Sequence, residues 1–523
     1  MNVASVPQRK WFDFILHDKH QIQPYEASVG LLSMLCVIQL ITSRLVYRPP
    51  STLGFQEGSL ATSPSMLPDS YPTICKLPVE LLQMIFDYCT ESQESGLELC
   101  RVYPHWIAIT HVCRHWRAAA LNHHSLWTSI NTDDLGTVWA KAFMERSNPA
   151  PVGVTIRVNP IFFGTRHTNV DEIIDMLSGC TRLRTLHIIG ETKTVNMVLN
   201  TLNTTTPIRS LSLDLVDRGS ILLPVYLFGG QAPIHEVSFV AVNYIVAPHG
   251  LFSGVTHFTS SQHIPLQDLL NTLREMPALQ SFTLQRCSVA WQDTDVPCNV
   301  QIPMRNLTHL TVDVDSQSPF YFTLLHQRLA LPNGAKRRLR LHTAADWSHW
   351  GLWAPSVLAI IRGANRLRNI RLSGGMREGS FCLWTGDLGI EEAEFSFEVS
   401  WWFQGFGSVP SPIFDLATLC HILDAGSARK LALLINPLGC IDLGRSYWWT
   451  LLESMTGVEE LEVRPDALRE LRYAWEVHDA PAVLPKLRRV DITQATSKTG
   501  SVEEMSEEGL MRLLRGSVTW HAD

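Results

Sequence analysis

The chain has 523 residues, room for roughly 3–4 domains of ordinary size. Apolar residues make up 45% and charged residues 18%, so the chain can bury enough surface to offset its ordering entropy, and global disorder is excluded. A formal charge of -7, from 43 basic and 50 acidic residues, gives no electrostatic footprint for nucleic acid.

Residues 1–74 read as an N-terminal extension, partly disordered, with a loop-like end from Arg48-Pro49-Pro50 to Ser63-Pro64. Its most apolar run, Val29 to Ile41, is 13 residues long and contains Ser33 and Gln39. That is short of the ~18–20 residues that span a bilayer. It also lies too far from the N-terminus, behind mixed charge, for a signal peptide. A packing helix is the expectation there, not a membrane anchor.

Order begins near Cys75. Residues 78–89 predict a helix, with Pro78 at its first position and Glu80 in its first turn. Leu81, Leu82, Ile85, Phe86 and Cys89 give it one apolar face. A polar loop follows from Thr90. A second helix is predicted over 105–121, its stripe formed by Trp106, Ile109, Val112, Cys113, Trp116 and Ala120. These elements make a module at 75–130, and 131–180 reads as a connecting segment.

From 181 to 500 the chain repeats an apolar-x-x-apolar-x-apolar unit. It opens with Leu183-x-x-Leu186-x-Ile188, Ile208-x-x-Leu211-x-Leu213 and Ile234-x-x-Val237-x-Phe239, with Val255-x-x-Phe258 as a doubtful member. Later units centre on Phe282, Leu310, Leu339, Ile370, Ala393, Leu431, Leu461 and Val490. The anchors are spaced from 21 residues (Val237 to Phe258) to 38 (Ala393 to Leu431), near the ~20–29 of leucine-rich repeats. Helical patterns fall between them at 172–177, 266–276, 357–362, 416–423 and 448–455. Strand, helix and strand in sequence demand a parallel sheet with helical crossovers. Units that cannot bury a face alone must stack, so the fold class is α/β, an irregular leucine-rich-repeat solenoid. Ser501-x-x-Glu504 starts a helix that caps the open end, within 501–523.

Residues 77–127 resemble the F-box family. The resemblance rests on Leu77-Pro78-x-Glu80-Leu81-Leu82-x-x-Ile85-Phe86, on Val112-Cys113-Arg114-x-Trp116-Arg117-x-x-Ala120-Leu121 and on Leu126-Trp127, in family order. The long spacer from Thr90 to His105 departs from the pattern, as does His123-His124 where the family often places Pro. The resemblance implies a small all-α module that docks on the Skp adaptor of a Skp–cullin–F-box ubiquitin ligase, while the following domain captures a protein substrate. Carried across, the adaptor-facing residues would be Leu77, Pro78, Leu81, Leu82, Ile85, Val112 and Trp116. A module this small buries little core of its own, so surplus apolar side chains need a partner surface. For Phe86, Cys113 and Leu126 simple core packing is the expectation.

Chemistry finds little footing. Cys89, Cys100, His105, His111, Cys113, His115, His123 and His124 invite a zinc reading, yet the spacing opposes it, and His111-Val112-x-x-His115 lacks the Glu of a zinc protease helix. No GxSxG elbow, phosphate loop or dinucleotide fingerprint occurs, and Asp293-x-Asp295 and Asp313-x-Asp315 lack the rest of a calcium loop. No catalytic residue, metal or cofactor is expected. Eleven cysteines without a CxxC pair read as reduced thiols of an intracellular protein of cytoplasm or nucleus.

Residues flanking the strand anchors point away from the core. Arg338, Arg340, His342 and Arg371 then form a basic band beside acidic Glu392 and Glu394, with Glu460 and Glu462 further on. Such a face would select a ligand of matching charge order. The alternative is cross-strand pairing of Arg371 with Glu392 or Glu394. Tryptophans at 347, 350, 353, 401, 402, 448 and 449 either expose binding surface or fill gaps in an irregular solenoid. The expected function is substrate recognition for a ubiquitin ligase. The alternatives are a scaffold with a degenerate box and, remotely, an unrecognised hydrolase.

Overall fold

The computed structural model describes residues 77–91, 105–158, 169–202, 208–224, 234–242, 244–246, 250–261, 265–287, 301–315, 325–332, 334–343, 367–374, 378–386, 389–402, 420, 425–435, 451–464, 467 and 484–492. The predicted extension 1–74, the helix at 357–362, the terminal segment 501–523 and Trp347, Trp350, Trp353, Trp448 and Trp449 lie outside them. Two compact units divide the chain, Met1–Thr155 and Ile156–Asp523. Among the described residues no helix is long and apolar enough to cross a membrane.

In the first unit, helix α1 (Val79–Glu91) matches the predicted segment. The second predicted helix is broken in two: a 3-10 helix, His105–His111, then α2 (Arg114–Asn122). Ile107, Ile109, Thr110 and Val112 are β-branched and disfavour α geometry. Cys113 is extended, with φ -157° and ψ 173°, and its Sγ accepts from the Trp116 amide at 3.5 Å. A cap in mid-pattern restarts the helix.

The stretch read as a connector holds regular structure. Strand β1 (Ser129–Asn131) runs into α3 (Thr132–Arg146), capped by the Asn131 side chain. Gly136, at φ 69°, bends α3 in a conformation that only glycine adopts without strain. Strand β2 (Val152–Val158) follows and pairs in parallel with β1. The core between them is aromatic. Trp106, Trp127 and Phe143 meet edge-on or tilted at 4.9–5.7 Å, and the Trp127 indole donates to Ala120 O at 2.9 Å.

The second unit is a large, mainly parallel sheet with helical crossovers. After α4 (Val170–Ser178) come β3 (Leu183–Gly190), α5 (Thr192–Thr201), β4 (Ser210–Leu215), β5 (Glu236–Val240), β6 (His257–Ser261), α6 (Leu266–Arg274), β7 (Ser281–Cys287), β8 (His309–Asp315) and β9 (Lys336–Thr343). The remaining sheet strands are β10 (Leu367–Gly374), β11 (Glu378–Thr385), β12 (Phe395–Trp402), β13 (Lys430–Ile435), β14 (Glu460–Val463) and β15 (Arg489–Ile492). The repeat anchors fill the core: Leu186, Leu211, Phe258, Phe282, Leu310, Leu339, Ile370 and Leu431 are all within 2% of complete burial. The doubtful anchor Phe258 belongs to a regular strand, stacked at 5.6 Å on Phe282. Each such side chain contributes about 1.5–3 kcal/mol on leaving water.

Sheet order departs from chain order once. From β3 to β9 neighbours are consecutive, but β9 then pairs with β12, β12 with β11, β11 with β10 and β10 with β13. Strand β11 is antiparallel to both its neighbours, so β10 and β12 still run parallel to the rest. Short connections between consecutive strands permit this, whereas a parallel pair would need a long crossover.

Candidate functional site

Helix α1 is apolar on two adjoining stripes. Leu82 and Phe86 face inward and are fully buried, Phe86 resting edge-on at 5.5 Å against Trp116. One step round the helix, Leu81, Met84, Ile85 and Tyr88 follow the i, i+3, i+4, i+7 spacing of a single stripe. Leu81, Met84 and Tyr88 are 42%, 68% and 60% exposed, and Ile85 is half-buried. Pro78 and Val79 continue the exposed surface at the N-terminal end, Leu77 is half-buried, and Val112 is exposed elsewhere in the unit.

The seven residues carried over from the resemblance therefore divide. Leu77, Pro78, Leu81, Ile85 and Val112 retain exposed surface. Leu82 and Trp116 do not, at 0% and 1% exposure. They cannot touch a partner; in a module this small they are needed to make its interior. The resemblance does not carry over Met84 and Tyr88, although their spacing from Leu81 and Ile85 is visible in the sequence.

Polar contacts hold α1 in place. His115, on α2, places Nε2 3.0 Å from Leu77 O. His123, just beyond α2, places Nε2 2.7 Å from Asp87 Oδ1. Both partners only accept, so each Nε2 carries the proton and donates. Ser125 Oγ lies 3.0 Å from that same His123 nitrogen. Asp and Ser on one ring nitrogen make no relay, because a hydrolytic triad uses both nitrogens. His124 places Nδ1 2.7 Å from Arg146 O, so both histidines at the departure from the family pattern make a contact within the unit. Among the described residues no group of three His, Cys, Asp or Glu side chains could hold a metal ion.

The charged face of the second unit differs from the expectation. Arg338, Arg340 and His342 do lie on one side of β9. Glu392 and Glu394, however, lie in the turn before β12, not on a strand. The apolar pattern centred on Ala393 marks the approach to Phe395, where the strand begins. Arg338 bonds instead to Glu391 and, at 3.4 Å, to Ile390 O. Arg340 donates to Glu398 at 3.1 Å, and His342 lies 2.7 Å from both Asp313 Oδ1 and Ser400 Oγ. Arg371 pairs with neither Glu392 nor Glu394; its guanidinium lies 5.4 Å from the centre of the Trp384 ring, and β10 and β11 set it opposite Cys382. The bond from Arg338 holds the Glu391 carboxyl below its usual range. On the early strands one titratable cluster stands out: burial pushes His187 down and Asp214 up, beside Arg157.

Comparison with known proteins addresses the first unit directly, since residues 74–133 match the family model described as F-box-like. Residues 74–133 form an F-box-like domain. No curated protein matches the chain. Among solved structures, the leucine-rich repeat-containing protein LegL7 from Legionella pneumophila is similar over 76% of this chain and 96% of its own, at 11% identity and a TM-score of 0.19.

Proposed function

We propose that the chain is a substrate-recognition subunit of a Skp–cullin–F-box ubiquitin ligase. The observation that carries this reading is the outward apolar stripe on the first helix of an F-box-like domain. Leu81, Met84, Ile85 and Tyr88, continued by Leu77 and Pro78, form the surface for a Skp-type adaptor, with Val112 a further exposed contact elsewhere in the unit; Leu82, Phe86 and Trp116 hold that surface from behind. Four apolar side chains on one helical stripe suit a helix-in-groove or helix-on-helix contact. The repeat region, 181–500, is a leucine-rich-repeat-like solenoid whose outward strand face holds a protein substrate, with Arg338, Arg340 and Arg371 among the residues on it. The chain itself catalyses nothing. It holds a target near a ubiquitin-loaded partner at high effective concentration.

The test uses the full chain and a recombinant Skp-type adaptor. Wild type co-purifies with the adaptor, and Leu81→Asp with Ile85→Asp abolishes the complex while the circular dichroism of the chain is unchanged. No complex with wild type would leave a scaffold whose box has lost its adaptor.

A further inference from the structure

Among the described side chains of helix α1, Leu82 and Phe86 are fully buried and Ile85 and Cys89 half-buried, all toward one side, so packing seats the helix by a single face. The polar contacts act where the packing does not. His115 grips the carbonyl of Leu77, before the first turn, and His123 grips the carboxylate of Asp87, in the last full turn. The donors stand at either end of α2, so the two helices are tied at both ends. Asp87 lies one turn beyond Met84, to one side of the stripe and nearly opposite Ile85 round the helix. A bond to His123 held at that off-stripe position restrains how far the stripe turns.

We propose that His115 and His123 are positioning residues for the docking face: they lock the rotation of α1 and so present Leu81, Met84, Ile85 and Tyr88 at one angle. This rests on the adaptor reading above. The physical effect is pre-organisation. A helix that rocks spends part of its time with the stripe misaligned, and the apparent affinity falls by the competent fraction. A bond to an ionised carboxylate restrains more than one to a carbonyl, so His123 counts for more than His115.

The experiment measures the affinity of the full chain for a recombinant Skp-type adaptor by titration calorimetry. His123→Ala should weaken binding about ten-fold and His115→Ala about three-fold, with Asp87→Ala matching His123→Ala. Gln carries an N–H at about the reach of the imidazole Nε2, so His123→Gln should return binding to within about three-fold of wild type. Ile130→Val loosens buried packing in β1 of the same unit but changes neither contact; well below the melting temperature it should leave affinity within about two-fold. The proposal fails if both alanine variants bind as wild type does, or if Ile130→Val and His123→Ala weaken binding equally. In either case the Leu81→Asp, Ile85→Asp control still separates this from the docking reading. No binding by wild type removes both.

Discussion

The two stretches of the large sheet, β4–β8 and β8–β15, share a core and differ on the other face. Across the first, pairing aligns Ser212, Ser238, Thr259, Thr283 and Thr311 in one row of short hydroxyls. Across the second, pairing aligns Asp313, Arg340, Glu398, Cys382, Arg371, Ala432, Glu462 and Asp491. That row carries both signs, ending with like-charged Glu462 and Asp491 side by side, and several charges on the face satisfy one another: Arg340 with Glu398, His342 with Asp313 and Lys430 with Glu462 at 3.3 Å. One sheet thus offers a row of short hydroxyls, flanked by Asp214 and Glu236, and a charged row partly compensated within itself. A basic band beside an acidic band is not what a partner would meet. From Asp313 through Arg340 to Glu398 opposite charges interleave, which limits long-range steering there and favours short-range fit.

The comparison predicts that the two stretches respond alike inside and differently outside. The largest effect is in the shared core. Phe282→Ala on β7 and Phe397→Ala on β12, both fully buried, should each cost about 3–5 kcal/mol in denaturant unfolding. A much smaller loss at Phe397 alone would mean that the reversed strands are not part of the same cooperative core. The next effect separates the faces. Arg340→Met strands a partly buried Glu398 and should cost about 1 kcal/mol, partly masked by salt, whereas Thr283→Val should stay within about 0.5 kcal/mol. A double-mutant cycle with Glu398→Gln isolates the pair, and a coupling near zero would remove the compensation described here. The smallest effect is chemical. Burial and the Glu398 carboxylate push the Cys382 thiol up to about 11, and burial pushes Cys420 up as well. Iodoacetamide at pH 8 should therefore label the half-buried Cys113 well before either, since only the thiolate reacts.

The inward half of this pattern is legible in the sequence because it is periodic. Leu186, Leu211, Phe282, Leu310 and Leu431 repeat an apolar spacing that a strand buried on one face requires, and each is buried. The neighbours in the sheet are not legible, because β10, β11 and β12 share the same two-residue period whether they pair parallel or antiparallel. Sequence spacing alone therefore puts Glu392 and Glu394 beside Arg371 and gives no sign of Glu391 and Glu398, the partners of Arg338 and Arg340. In the first unit Leu81 and Ile85 could be read from the helix pattern. His115 and His123 could be seen only as candidate zinc ligands, since their partners, Leu77 O and Asp87, are set by tertiary placement. Helix α3 escaped because Gly136 interrupts its pattern.

The reversed trio of strands also bears on how this chain is made. Arg340 on β9 meets Glu398 on β12 across 58 residues, with β10 and β11 emerging from the ribosome before β12 does. A newly synthesised chain therefore holds β9 as an open border while its eventual neighbour is still untranslated. Assembly cannot proceed one strand after another past that point; it must pause until the whole trio can swing in together, a long-range closure that slows folding and leaves a bare backbone rim for other chains to find.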